Sequence, residues 1–144
     1  MGKVNKARFN KVVKTKLKII KNYNGNIMHI LKKSDKSFSK FGEAYFSKIK
    51  FKKIKGWKLH KKMKLNLVVP KGKVRFIFFD QMTGNFHEEV IGEKIYYRIA
   101  VLPKTWFAFQ GLSKHESLIL NIADIPHDPR EQSSIGLKQI KFDW

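Results

Sequence analysis

An all-β fold, a jelly-roll barrel with few short helices, is the architecture that this sequence predicts. Three observations lead to it. From Ala44 onward apolar and polar residues alternate with period two, the mark of half-buried strands. The alternating runs are short and are separated by Gly, Pro and Asn turns. No segment carries a long helical stripe. Many short strands at regular spacing fit a sandwich or barrel.

The elements follow in order. Lys3 to Lys21 is basic and weakly patterned; Val12, Val13, Leu17, Ile19 and Ile20 suit a strand or a short helix. Asn22 to Asn26 is a turn, because Asn and Gly accept positive φ, and Ile27 to Leu31 reads as a strand. Tyr45 to Phe51 sets Ile49 and Phe51 against Lys48, Lys50 and Lys52. Trp57 and Leu59 then share one face, with Lys58 and His60 on the other. Met63, Leu65, Leu67 and Val69 continue an apolar face opposite Lys64 and Asn66. Pro70 to Lys73 turns the chain into a strand with Val74, Phe76 and Phe78 on one side. Gln81 to Asn85 carries turn residues; Ile95 to Leu102, Trp106 to Gln110 and Leu118 to Ala123 complete the strands.

At 144 residues the expectation is one domain, 1–144, with a basic N-terminal segment at 1–21. A hydrophobic content of 42%, with 12 Phe and 3 Trp, can build a packed core. No apolar run approaches transmembrane length, and no signal-peptide pattern follows the basic start. The absence of cysteine excludes disulfides, thiolate zinc sites and thiol nucleophiles, and fits a cytoplasmic location.

The net charge of +20 is unevenly placed: up to Asp80 the acids are Asp35, Glu43 and Asp80 alone. Such a surface attracts polyanions, including nucleotide diphosphates. Most of these lysines read as solvated surface. Lys far outnumbers Arg, and no nucleic-acid-binding motif is present, so nucleic acid is not the expected partner.

One stretch concentrates candidate chemistry. From Lys55 to Asn66, an unbroken strand would place Lys58, His60, Lys62, Lys64 and Asn66 on one face. Lysines beside His60 disfavour its protonation, and a neutral imidazole is what a general base requires near pH 7. A neighbouring ammonium could stabilise a developing enolate oxyanion. The five histidines are scattered without metal-ligand spacing, so neither a metal site nor a cofactor is expected. Gly-rich phosphate loops and a Gly-x-Ser-x-Gly elbow are also absent. His127 to Glu131 reads as a polar turn. The Trp106–Gly111 strand reads as core, with one of its three aromatics left to line a pocket.

In order and spacing, several motifs resemble the dTDP-4-dehydrorhamnose 3,5-epimerase family of cupin-type sugar-nucleotide epimerases. They are Phe41-Gly42-Glu43-Ala44-Tyr45-Phe46, Lys55-Gly56-Trp57-Lys58-Leu59-His60, Leu102-Pro103-Lys104-Thr105-Trp106 and Asp128-Pro129-Arg130-Glu131, with a closing Asp143-Trp144. The likeness runs from about Gly25 to the end and is strongest to a short branch found in surface-polysaccharide gene sets. It implies a cupin jelly-roll, no metal, and a homodimer in which N-terminal strands can pair across the interface. It also implies proton removal next to the keto group of a 4-keto-6-deoxy sugar nucleotide. His60 matches the family base and Lys64 the lysine that holds the enolate oxygen. Lys55, Lys58, Lys62, Asn66 and Asn121 are expected to bind substrate. Three departures stand out. Asn24-Gly25 replaces an Arg-Gly pair, the catalytic tyrosine falls near Asn121, and Ser134 to Lys141 offers no acid to orient the histidine. His29 or Tyr97 is then the expected alternative proton donor. A silent sugar-binding cupin is the competing expectation.

Overall fold

The computed structural model describes residues 9–144. Part of the basic segment, residues 1–8, lies outside that range. Two five-stranded antiparallel sheets face each other in a jelly-roll of the cupin type. The first sheet has the order β1 (Val12–Lys16), β9 (Tyr97–Val101), β6 (Leu65–Lys71), β11 (Ser117–Ala123), β4 (Glu43–Ile49). The second has the order β12 (Gln132–Ser134), β5 (Ile54–His60), β10 (Trp106–Gly111), β7 (Lys73–Asp80), β8 (Asn85–Gly92). A small hairpin joins β2 (Ile19–Ile20) to β3 (Ile27–Met28). Helical structure in the described residues is confined to the 3₁₀ turns Pro129–Glu131 and Leu137–Gln139.

The apolar alternation fills two cores. Leu65, Leu67 and Val69 from the first sheet meet Val74, Phe76, Phe78 and Phe107 from the second, all buried. Removing Phe76 and Phe78 from water contributes about 1.5–3 kcal/mol each. Trp57, Ile77, Trp106 and Ala108 point the other way, onto the outer face of the second sheet. The tail covers them with Ile135, Leu137, Ile140, Phe142 and Trp144.

Several expectations are corrected. The run Ile27 to Leu31 pairs only through Ile27–Met28. Val12 to Lys16 forms a strand, which pairs with β9 of its own chain. Strand β8 was not foreseen, because Asn85–Gly92 carries His87, Glu88 and Glu89 in place of apolar alternation. Those charges are matched by neighbours: Arg75 to Glu88 and Lys14 to Glu89, both at 2.9 Å.

Lys55 to Asn66 is not one strand. β5 ends at His60, the chain bends at Lys61 and Lys62, and β6 starts at Leu65. The bend shifts the alternation by one, so even-numbered residues face inward before it and outward after it. Asn66 lies on the outer face, where its Nδ2 donates to the Ser37 carbonyl at 3.2 Å.

Gly56 sits at φ +147° where the β5–β10 register shifts. A Cβ there would come within 2.7 Å of Ala108 Cα. Gly56→Ala is therefore expected to destabilise the fold by about 2–4 kcal/mol, combining backbone strain with overpacking. Urea unfolding compared with wild type measures it.

Candidate active site

Two adjoining spaces open at the mouth of the barrel and share Tyr45 and Lys58 in their walls. The inner one, about 230 Å³, is walled mainly by apolar groups, including Leu67, Phe76, Phe107, Phe109 and Ile119. The outer one, about 290 Å³, is polar, with Glu43, His60 and His127 around it. Together they reach the size of small-molecule sites, roughly 300–1,000 Å³. Both Phe107 and Phe109 line the inner space, so two aromatics of the β10 strand face the pocket where one was expected.

His60 ends β5 and is 5% exposed. Its Nδ1 bonds a carboxylate oxygen of Glu131. The pairing has a backbone cause: β12 lies alongside β5 with Gln132 opposite His60, which brings the preceding residue, Glu131, to the imidazole. The other carboxylate oxygen accepts the N–H groups of Lys62 at 3.2 Å and Met63 at 3.1 Å. Burial pushes the Glu131 carboxyl up, but the bonds from His60, Lys62 and Met63 outweigh it and hold the group below its ordinary value. An ionised carboxylate only accepts, so Nδ1 carries the proton. Burial holds His60 below its ordinary value, with Lys58 adding to the effect and Glu131 opposing it. The imidazole is therefore neutral at pH 7. Its Nε2 is buried and has no partner among the described residues. That nitrogen keeps a lone pair without a hydrogen-bond donor, the requirement for a general base, and His60 lines the outer space.

A phenol, Tyr45, stands in the lining of both spaces. It lies on β4, opposite Asn121 of β11. Asn121 Nδ2 donates to the Tyr45 hydroxyl at 2.8 Å, which leaves the phenolic hydrogen free to be donated. Burial pushes the Tyr45 phenol up; Glu43 adds to this and the Asn121 bond opposes it. The Tyr45 hydroxyl is thus neutral and keeps its hydrogen. Asn121, the position first matched to the family tyrosine, instead orients the tyrosine next to it. Tyr45→Phe is expected to lower turnover about 10²–10⁴-fold, the range for a positioned acid, with little change in stability. A coupled turnover and melting measurement checks both.

Of the residues proposed from sequence, Lys55, Lys58, His60 and Asn121 line the two spaces. Lys62, Lys64 and Asn66 do not. Lys62 contributes its backbone N–H to Glu131, and Lys64 contributes its own to Asp124 at 2.8 Å. Lys55 Nζ reaches the Lys48 carbonyl at 2.7 Å. His29 and Tyr97, the alternative donors, lie outside both spaces. Among the described residues no three His, Cys, Asp or Glu side chains gather to hold a metal ion.

Fold and site together define a cupin-type protein in which a histidine paired to a carboxylate and a phenol line one space. The chain belongs to the WxcM-like, C-terminal (FdtA) family, whose model matches residues 10–134. No curated protein sequence matches it significantly. Among solved structures it is similar to a dTDP sugar isomerase from Desulfovibrio desulfuricans G20. The two are 26% identical over 94% of this chain and 91% of that one, with a TM-score of 0.89. It shares its fold with QdtA, a sugar 3,4-ketoisomerase from Thermoanaerobacterium thermosaccharolyticum bound to TDP. That match is 17% identical over 92% and 94% of the chains, with a TM-score of 0.77. It shares it also with the dTDP-4-dehydrorhamnose 3,5-epimerase of Sulfolobus tokodaii, at 16% identity over 94% and 81% and a TM-score of 0.82. The family resemblance read in the sequence is borne out.

Proposed function

We propose that this chain is an isomerase or epimerase of a nucleotide-linked 4-keto-6-deoxy sugar, acting by proton abstraction beside the keto group. The observation that carries this reading is His60 itself: a neutral, buried imidazole in the lining of the outer space, with Nδ1 committed to Glu131 and Nε2 without a partner among the described residues. His60 Nε2 takes the proton from the carbon next to the carbonyl, and the electron pair moves onto the carbonyl oxygen. Tyr45 donates its hydrogen to that oxygen, and the Lys58 ammonium offsets the developing charge. Protonation of the former carbonyl carbon by His60, with the neighbouring hydroxyl proton returning to the Tyr45 phenolate, moves the keto group by one position. Protonation of the first carbon by water on its opposite face, with the enol proton returning to the Tyr45 phenolate and the His60 proton passing to the hydroxide left by that water, inverts that centre instead. The likeness to a dTDP sugar isomerase supports an isomerase of a nucleotide-linked sugar. Lys55 and Lys58 are the cations available to a diphosphate.

The silent-cupin alternative rests on a missing carboxylate and a missing phenol; the Glu131 carboxylate on His60 and the Tyr45 phenol in the same space support the enzymatic reading over it. Incubation with dTDP-4-keto-6-deoxyglucose in deuterated water, followed by NMR, tests the proposal. Deuterium gained at a carbon flanking the carbonyl, with a 3-keto product or an inverted centre, is the expected result. A ligand that binds tightly yet exchanges no carbon-bound hydrogen would overturn it.

A further inference from the structure

A separate cavity of about 150 Å³ lies against the outer face of the first sheet. Its walls are residues 15–18 at the end of β1, residues 29–32 after β3, Asp35 and Arg98. Ile99 of β9 faces the core, so Arg98 faces outward, beneath the segment that crosses the sheet. Arg98 is 3% exposed. Its Nη1 donates to the Ile30 carbonyl at 2.8 Å and to Asp35 Oδ2 at 3.1 Å. Its Nε is buried with no acceptor among the described residues, and a buried N–H without a partner is a costly exception in folded proteins.

The charges around it are one-sided. Lys16, Lys18, Lys32 and His29 border the same space, and Asp35 is its one acid. Oδ2 of that acid is already engaged by Arg98 and by the Lys32 N–H at 2.8 Å. A buried guanidinium with a spare N–H, in a cavity also lined by lysines, matches the chemistry of a tetrahedral oxyanion.

We propose that this cavity binds a phosphate dianion, free or as the terminal group of a small ester, with Arg98 at its floor and Lys16 and Lys32 at its rim. The site shares no wall with the barrel mouth, so it stands or falls independently of the proposed activity. The crossing segment continues through Ser37, whose carbonyl holds Asn66, to Glu43 and Tyr45 on β4. A phosphate held between Arg98 and this segment would tether the approach to the catalytic strand.

Thermal unfolding at fixed pH and ionic strength, with inorganic phosphate replacing chloride, tests the site. Three proteins are compared: wild type, the rim double variant K16Q/K32Q, and the barrel double variant K55Q/K58Q. Phosphate is expected to raise the midpoint of wild type and K55Q/K58Q and to leave K16Q/K32Q unmoved. No shift in wild type overturns the site. So does a shift that K55Q/K58Q loses and K16Q/K32Q keeps, which would put the ion in the barrel. Equal responses from both variants would mean diffuse charge and also overturn it. Glycerol 3-phosphate, run in parallel, separates the sources: an equal shift identifies an ester phosphate as an acceptable occupant, and a shift with inorganic phosphate alone identifies the free ion.

Discussion

Replacing His60 by alanine is expected to reduce turnover by about 10³-fold or more and to abolish deuterium entry into the sugar. No other imidazole is placed to substitute: His127 borders the outer space but is exposed, and His29 lies on the far face of the first sheet. Positioned general bases contribute about 10²–10⁴-fold, and here the same nitrogen serves both proton abstraction and return. Alanine also strands the Glu131 carboxylate in a buried place, so a loss of activity could reflect a loosened fold. His60→Asn separates the two effects. Its amide can donate to Glu131 and fill much of the same space, yet it has no basic lone pair. Both variants should be inactive, and the asparagine variant should melt closer to wild type. Full activity in a folded His60→Asn protein would remove His60 as the base.

Glu131→Gln should have the next largest effect, a loss of about 10²–10³-fold in kcat. The amide has one acceptor oxygen where the carboxylate uses two, so it can serve either Nδ1 or the Lys62 and Met63 N–H groups but not both, and the negative charge that supports the imidazolium formed during abstraction is gone. The pH profile distinguishes this role from a structural one. In wild type the base is active when neutral, so kcat/KM should be flat through neutral pH and fall only as pH drops below the His60 pKa, itself below about 6.5. Glu131 raises that pKa by its hydrogen bond and its charge. Removing the charge should therefore move the acid limb of the profile to lower pH while the ceiling falls. A limb that stays where it was would mean that Glu131 does not act through His60. Glu131→Ala is a different experiment: it leaves the Lys62 and Met63 N–H groups without acceptors and should cost about 3 kcal/mol or more of stability.

Much of the barrel was legible because its strands alternate locally. Leu65, Leu67 and Val69, then Val74, Phe76 and Phe78, announce their faces without reference to any partner. The base was legible for the same reason, since Trp57 and Leu59 assign the opposite face to Lys58 and His60. What could not be read depends on contacts distant in sequence. The chain bends between His60 and Leu65 because Glu131 and Asp124 take the N–H groups there, and neither acid is near in sequence. That bend is why Lys62, Lys64 and Asn66 leave the face on which alternation had placed them. Strand β12 is only Gln132–Ser134 and has no apolar pattern to betray it. The family pattern puts an orienting acid within Ser134 to Lys141, whereas here the acid, Glu131, stands just before that strand. Tyr45 was visible as a strand residue; its role required knowing that β4 and β11 set it opposite Asn121.

The short strand β12 has a second consequence. Without it, β5 would be an open sheet edge, a row of unpaired backbone groups able to recruit a strand from another chain. Gln132–Ser134 occupies that edge from His60 back to Lys58. An intruding strand would have to peel β12 away, and Glu131 would leave His60 with it. Pairing of a foreign strand at β5 and loss of the Glu131–His60 bond would thus be one event.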